Sequence, residues 1–304
     1  MEKPLVLFTG IMRSGTSFLT RAFNLCGVYL GEYNELHSTT ILPVDYNKGG
    51  TWESLKALEL INKTPKKVRG LQSLPADLSD EITEFTHKLL NHPSLASGFK
   101  IHDIDALESW LPILKKCTNN IIIAATFRHP VRTAESIILN SKFKTYEEIF
   151  AFWCDSYDRL LELLNENPGF LFDFDWHKER LLAEINDAAL RTGLVESDLS
   201  TWYKEEFKHK EVLFQGNPDD NVWNLYSRLQ ERSNHNKEVV IPQWNPSQGE
   251  LRQIIRALLN QNMIQADLFN KQILSNNPDL IYSNVLKLAF KIMKWNARKK
   301  IRRK

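Results

Sequence analysis

Leu5-Val6-Leu7-Phe8-Thr9-Gly10-Ile11-Met12-Arg13-Ser14-Gly15-Thr16-Ser17-Phe18-Leu19 is the stretch whose reading decides the fold. Leu5 to Phe8 is a continuous apolar run, as expected of a short strand buried on both faces of a parallel sheet. A glycine-bearing turn follows from Gly10 to Gly15. A helix is then predicted from about Thr16 to Cys26, with Phe18, Leu19, Ala22 and Phe23 on one face. Strand, tight turn and helix make the first half of a βαβ unit. The turn has the Gly-x-x-x-x-Gly frame of a P-loop, in which glycines let the backbone wrap an anion and the helix N-terminus adds positive potential. In a nucleoside triphosphatase the residue after the second glycine is Lys. Here it is Thr16, and the cation is Arg13, inside the loop. That change serves a magnesium-bound triphosphate poorly. It suits a single 5′-phosphate bearing another small anionic group.

Working outward, Gly98 to Ile101, Ile121 to Phe127 and Phe170 to Phe172 read as further strands, the second another buried parallel candidate. Helical pattern resumes near Trp52 and runs again over Ser79 to Leu90. Pro130 opens a helix carrying Ala134, Ile137 and Ile138 on its apolar side, Pro at the first helical turn being expected. Further helices are predicted over Tyr146 to Asn165, up to Leu190 with Gly193 as its stop, over Asp220 to Arg232, and over Ser247 to Gln261. The polar segment 33–50, broken by Pro43 and Gly49-Gly50, reads as a functional loop. The fold class expected is α/β: a P-loop NTPase-like central parallel β-sheet flanked by helices, with a helical C-terminal portion. One domain would span residues 1–279, with its motifs in 4–195 and a mainly helical part over 196–279. A basic amphipathic tail would occupy 280–304.

The 304 residues are 42% hydrophobic and 25% charged, with 12 Gly, 12 Pro and 3 Cys. These proportions exclude disorder, collagen-like repeats and a disulfide scaffold. Apolar runs such as Ile121 to Ala125 fall far short of the ~20 residues of a membrane span. Met1 leads almost directly into an apolar segment, so no signal peptide is expected. Cys26, Cys117 and Cys154 are widely spaced and odd in number, which fits reduced cytoplasmic thiols and no zinc site. From Leu280 onward there are nine Lys or Arg and no Asp or Glu. The remainder has 30 basic and 37 acidic residues, a net of −7, so a general nucleic-acid surface is not expected.

The loop Arg13-Ser14-Gly15-Thr16-Ser17-Phe18-Leu19 resembles the 5′-phosphosulfate loop of the sulfotransferase superfamily that uses 3′-phosphoadenosine-5′-phosphosulfate (PAPS), in its bacterial Arg-Ser-Gly-Thr-Ser form. Met12 stands where His or Pro is more usual. A second stretch, Ile121 to Ser136, is similar to the family's 3′-phosphate segment: a strand ending in Arg128, Pro130 two residues on, and Ser136 eight residues after the Arg. Arg128 would sit at the carboxyl end of a parallel strand, where open α/β sheets bind ligands. Arg132 and Ser136 are four apart, so both are expected to turn toward one anion. A guanidinium fork plus a hydroxyl suits a phosphate monoester. Asn47-Lys48-Gly49-Gly50-Thr51-Trp52-Glu53-Ser54 resembles a Gly-aromatic-Glu segment of bacterial members. Gly98-Phe99-Lys100-Ile101-His102-Asp103 resembles their Gly-x-Lys-Asp-Pro strand, with Ile101-His102 in place of Asp-Pro. The Arg-Lys-Gly segment that completes the 3′-phosphate clamp in animal cytosolic members is not found.

The resemblance implies transfer of a sulfuryl group from PAPS, leaving adenosine 3′,5′-bisphosphate, to a hydroxyl (or an amine) of a carbohydrate, lipid or small metabolite. It implies binding of the donor by Gly10, Arg13, Ser14, Gly15, Thr16, Ser17, Arg128, Arg132 and Ser136, and no metal requirement. Positioning and fixed electrostatics would supply the acceleration. Arg13 would stabilise the leaving phosphate, with Lys100 as a second cation. Family members use a Glu or a His as base. Glu53 is the first choice, placed at a helix start facing the loop; Glu32, Glu35, His37 and His102 are the alternatives. The rival readings are a P-loop small-molecule kinase, disfavoured by Thr16 and by the lack of an evident Walker-B carboxylate, and an inactive nucleotide-binding protein of the same fold. In the tail, Leu288, Ile292 and Trp295 lie at helical spacing among cations, a pattern for peripheral contact with an anionic membrane or simply for a solvated terminus.

Overall fold

Four short segments form the four fully buried strands of one sheet: β1 (Leu5–Thr9), β5 (Ala96–Lys100), β6 (Ile121–Phe127) and β7 (Gly169–Asp173). The computed structural model describes residues 2–32, 35–37, 51–66, 74–138, 145–203, 214–242, 244 and 246–261. A short fifth strand, β2 (Val28–Tyr29), completes the sheet, whose order is β2-β5-β1-β6-β7 with every pair parallel. The chain steps from β1 to one side of the sheet, returns through β5, and crosses to the other side at β6. The strand order therefore reverses at β1, and the crevice beyond the carboxyl ends of β1 and β6 is where an open α/β sheet binds ligands.

Continuous burial along each strand demands apolar cover on both faces. On one face, α1 (Thr16–Leu25) and α7 (Lys178–Arg191) pack Phe23, Leu181 and Ile185 against Val6, Phe8, Phe170 and Phe172. The other face is covered by α3 (Ala76–Leu90), α4 (Ile104–Cys117), α5 (Pro130–Ile138), α6 (Tyr146–Glu166) and α8 (Asp220–Asn234), with Trp110, Trp153 and Tyr157 among its largest buried side chains. Arg159 of α6 spans to Asp105 and Glu108 of α4, each at 2.6 Å, and ties those two helices together. Beyond 195 the chain remains attached to the sheet: the Asn236 amide donates to Leu171 O and accepts from Leu171 N, extending the hydrogen-bonding edge of β7.

The predicted strand over Ile121 to Phe127 and the helix opening at Pro130 form as expected. Besides the short strand β2, other features differ. Helix α4 lies where no helix is predicted, because Pro112 breaks its pattern; Asp103, accepting from Ala106 N at 3.1 Å, caps it. A two-stranded antiparallel hairpin, β3 (Leu36–His37) with β4 (Glu53–Ser54), is too short to show periodicity. Helix α2 (Leu55–Lys63) therefore starts later than expected, with Ser54 as its cap. The last helix is α9 (Gln248–Gln261). Residues 38–50 and the basic tail lie outside the described residues. Among the described residues no helix is long and apolar enough to cross a membrane.

Candidate active site

The loop between β1 and α1 is shaped by three residues in the left-handed region, Gly10 (φ 130°), Arg13 (φ 70°) and Gly15 (φ 96°). A Cβ at Gly10 would lie 2.4 Å from Thr126 O, and one at Gly15 would lie 2.3 Å from the Phe174 ring, so sterics as well as φ require glycine at both. No side chain caps α1, and its first turn carries no acid. Its N-terminal N–H groups and positive dipole end are thereby directed at whatever anion the loop encloses.

Beneath the loop, the buried Ser14 hydroxyl donates to Ile11 O at 2.7 Å and lies 3.1 Å from Thr126 Oγ1. The Tyr157 hydroxyl of α6, wholly buried, donates to Thr126 O at 3.1 Å. This polar floor binds the loop to the end of β6. Above it, Arg13 Nε donates to Ser136 Oγ of α5 at 2.7 Å.

At the end of β5, Lys100 Nζ lies 3.0 Å from Glu53 Oε1 and donates to Ser17 Oγ of α1 at 3.3 Å. His102 Nδ1 lies 3.2 Å from the same Glu53 oxygen. Glu53 comes from β4, paired in register with His37 of β3. Its neighbour Trp52 has φ 55° and packs under the Arg21 guanidinium, 4.0 Å from the ring centroid, so a strained backbone fixes where Glu53 points. Burial raises the proton affinity of the Glu53 carboxyl. Lys100 and His102 outweigh it together and hold the group well below the usual carboxylate range. The helix-start position expected for Glu53 is thus corrected to a hairpin strand. A carboxylate held so firmly ionised is a weak base but a strong anchor for a cation. Lys100, Glu53 and His102 nevertheless come together against the N-terminus of α1.

Arg128 and Arg132 are organised differently from expectation. Both guanidinium groups meet Asp175 Oδ1, Arg128 through Nε at 3.3 Å and Arg132 through Nη1 at 2.9 Å, while Asp175 Oδ2 accepts from His129 N at 3.0 Å. Ser136 does not join them; it belongs to Arg13. Helix α5 thus offers its first turn to Asp175 and its later turn to the loop. Arg128 is 2% exposed, and its Nη2 has no hydrogen-bond partner among the described residues. Leaving such a group without an acceptor costs on the order of 1–3 kcal/mol or more. A cradle of backbone N–H groups and a buried guanidinium with one unmatched N–H at the same sheet edge could take a ligand with two separated anionic groups.

No family model matches the chain, and no curated protein does. Among solved structures, the chain is similar to the "Sulfotransferase Domain from the Curacin Biosynthetic Pathway", at 14% identity and a TM-score of 0.41, over 76% of this chain and 98% of that one. The chemistry of the site stands on the residues described above.

Glu32 and Glu35 lie away from this edge: Glu32 accepts from Tyr29, and Glu35 pairs with Lys88 on the surface. Asp175 and Tyr157 were not singled out from sequence. Asp175 follows the carboxyl end of β7, the same kind of position that marked Arg128, and that position was its one available signal. Tyr157 looks like any apolar-face residue of a long helix.

Proposed function

We propose that the protein is a PAPS-dependent sulfotransferase acting on a hydroxyl, or an amine, of a carbohydrate, lipid or small metabolite. The observation that carries this reading is the meeting of the two motifs. Arg13 of the loop bonds Ser136 of the distant segment, and Arg128 lies buried at the end of the neighbouring strand. When bound, PAPS supplies a sulfuryl group on a phosphate leaving group. The N–H groups from Ser14 to Ser17 and the Arg13 guanidinium hold that phosphate, and Arg13 offsets the charge it gains. Lys100, bonded to Ser17, places a second cation at the same helix N-terminus.

In place of Glu53, the first choice from sequence, we take His102 as the base. Its Nδ1 faces Glu53, which leaves Nε2 to accept the proton of the acceptor hydroxyl. Glu53 orients the ring and stabilises the imidazolium that forms, a division of labour suited to a carboxylate that stays ionised. Thr16 in place of Lys argues against the kinase reading.

Isothermal titration tests the proposal. Binding of adenosine 3′,5′-bisphosphate without magnesium is expected. Magnesium-dependent binding of ATP with none of the bisphosphate would overturn it in favour of a kinase. Bisphosphate affinity without transfer to any acceptor in a broad panel would overturn the catalytic part and leave a nucleotide-binding protein.

A further inference from the structure

Arg128, which follows β6, and Arg132, in the first turn of α5, share a carboxylate that neither motif contains. The ladder between β6 and β7 continues one step past the strands, with Phe174 N donating to Phe127 O at 2.9 Å. That step presses the Phe174 ring against Gly15 at the head of α1 and delivers the next residue, Asp175, to Arg128. The Asp175 backbone is itself held, its N–H donating to Asp173 Oδ1 at 2.9 Å. Carboxylate and guanidinium are therefore both fixed, close behind the anion loop.

We infer that Asp175 is a positioning residue: by taking Arg128 Nε, it presents the buried Nη2 to the second ribose phosphate of the nucleotide and so sets the preference for a bisphosphate over a 5′-monophosphate. The inference rests on the nucleotide reading given under Proposed function. Three details support it. Asp175 binds Arg128 at Nε and leaves a buried N–H of the same guanidinium unmatched. Arg132 is 44% exposed and in contact with solvent, so Arg128 is the partner whose position depends on Asp175. Two guanidinium groups against one carboxylate leave an excess of positive charge for an incoming phosphate.

The test compares adenosine 3′,5′-bisphosphate with adenosine 5′-monophosphate by titration on the full chain. Wild type is expected to prefer the bisphosphate. Asp175→Asn should lower bisphosphate affinity by about tenfold or more, the scale of one charge-assisted hydrogen bond, and leave the monophosphate within about twofold. Arg128→Lys should do the same, and adding Asp175→Asn to it should change little further. An unchanged bisphosphate-to-monophosphate ratio in Asp175→Asn, an equal loss for both nucleotides, or full additivity of the two substitutions would each overturn the inference. Absence of any bisphosphate preference in wild type would instead remove the nucleotide reading, and this inference with it.

Discussion

Arg13 Nε donates to Ser136 Oγ at 2.7 Å, so a loop residue in a left-handed conformation is tied to a helix 123 positions later. The contact makes the anion cradle dependent on α5. If Ser136 acts by holding Arg13, removing either side chain should produce overlapping losses. Arg13→Ala is expected to weaken bisphosphate binding by about 10- to 100-fold, as for a charge-assisted bond, and Ser136→Ala by a smaller factor. The double variant should resemble Arg13→Ala alone, since residues in one bonded network do not add. Independent, additive losses would show that the two touch the ligand separately.

His102 and Glu53 meet at 3.2 Å, and the carboxylate is the partner held ionised. His102→Ala should lower kcat by about 10²- to 10⁴-fold, the range of general-base catalysis, with nucleotide affinity largely kept. Glu53→Gln should reduce kcat less, because the ring keeps its proton-accepting nitrogen and loses only the carboxylate beside it. Near-normal kcat in His102→Ala would return the base assignment to Glu53 or His37. The depressed Glu53 carboxyl also stabilises the fold above the ordinary carboxylate range, and that contribution is lost as acid protonates it. Glu53→Gln should accordingly flatten the acid side of the thermal stability curve.

Much of this site was legible before the fold because its parts are short and local. The run Leu5 to Phe8, the two glycines and Thr16 describe a complete strand, loop and helix without reference to anything distant. Ile121 to Phe127 is likewise apolar except for Thr126, and Arg128 follows it. What sequence does not carry is the partner of each charge. Lys100 and Glu53 come from elements that no periodicity links, and the hairpin strand holding Glu53 is two residues long. Arg132 and Ser136 share a helical spacing but face different neighbours, which only the position of Asp175 decides. Helix α4 escaped notice because Pro112 stands inside it.

Burial raises the Asp173 carboxyl to about 6, with nearby Asp175 adding to the effect and hydrogen bonds opposing it. Its sign is opposite to that of Glu53. Between the ordinary aspartate value and about 6 the folded chain holds a proton that the unfolded chain has released, so stability falls as pH rises through that window. Asp173→Asn keeps an acceptor for Asp175 N and removes the ionisation. Its stability relative to wild type should improve from pH 4 to pH 7, by an amount on the order of 1–3 kcal/mol. Thermal midpoints measured at both pH values check this. An equal difference between the two proteins at each pH would mean that Asp173 ionises normally.

Tyr157 donates to Thr126 O from a fully buried position, and Thr126 Oγ1 in turn lies against Ser14 of the loop. Tyr157→Phe keeps the ring and its edge-on packing against Trp153, at 4.9 Å between centroids, and removes only the hydroxyl. The direct cost to stability should be about 1 kcal/mol, since the carbonyl loses one neutral hydrogen bond. The loop should suffer more than the fold. With its floor no longer tied to α6, the N–H groups between Ser14 and Ser17 lose the fixed orientation on which anion binding depends. Bisphosphate affinity and kcat/KM should therefore drop together, while the 5′-monophosphate weakens by a similar factor because both nucleotides use the same cradle. That shared loss separates the floor of the loop from Asp175, whose replacement should affect the bisphosphate alone. A Tyr157→Phe protein that loses about 1 kcal/mol of stability yet binds both nucleotides normally would show that Tyr157 supports the fold without shaping the site.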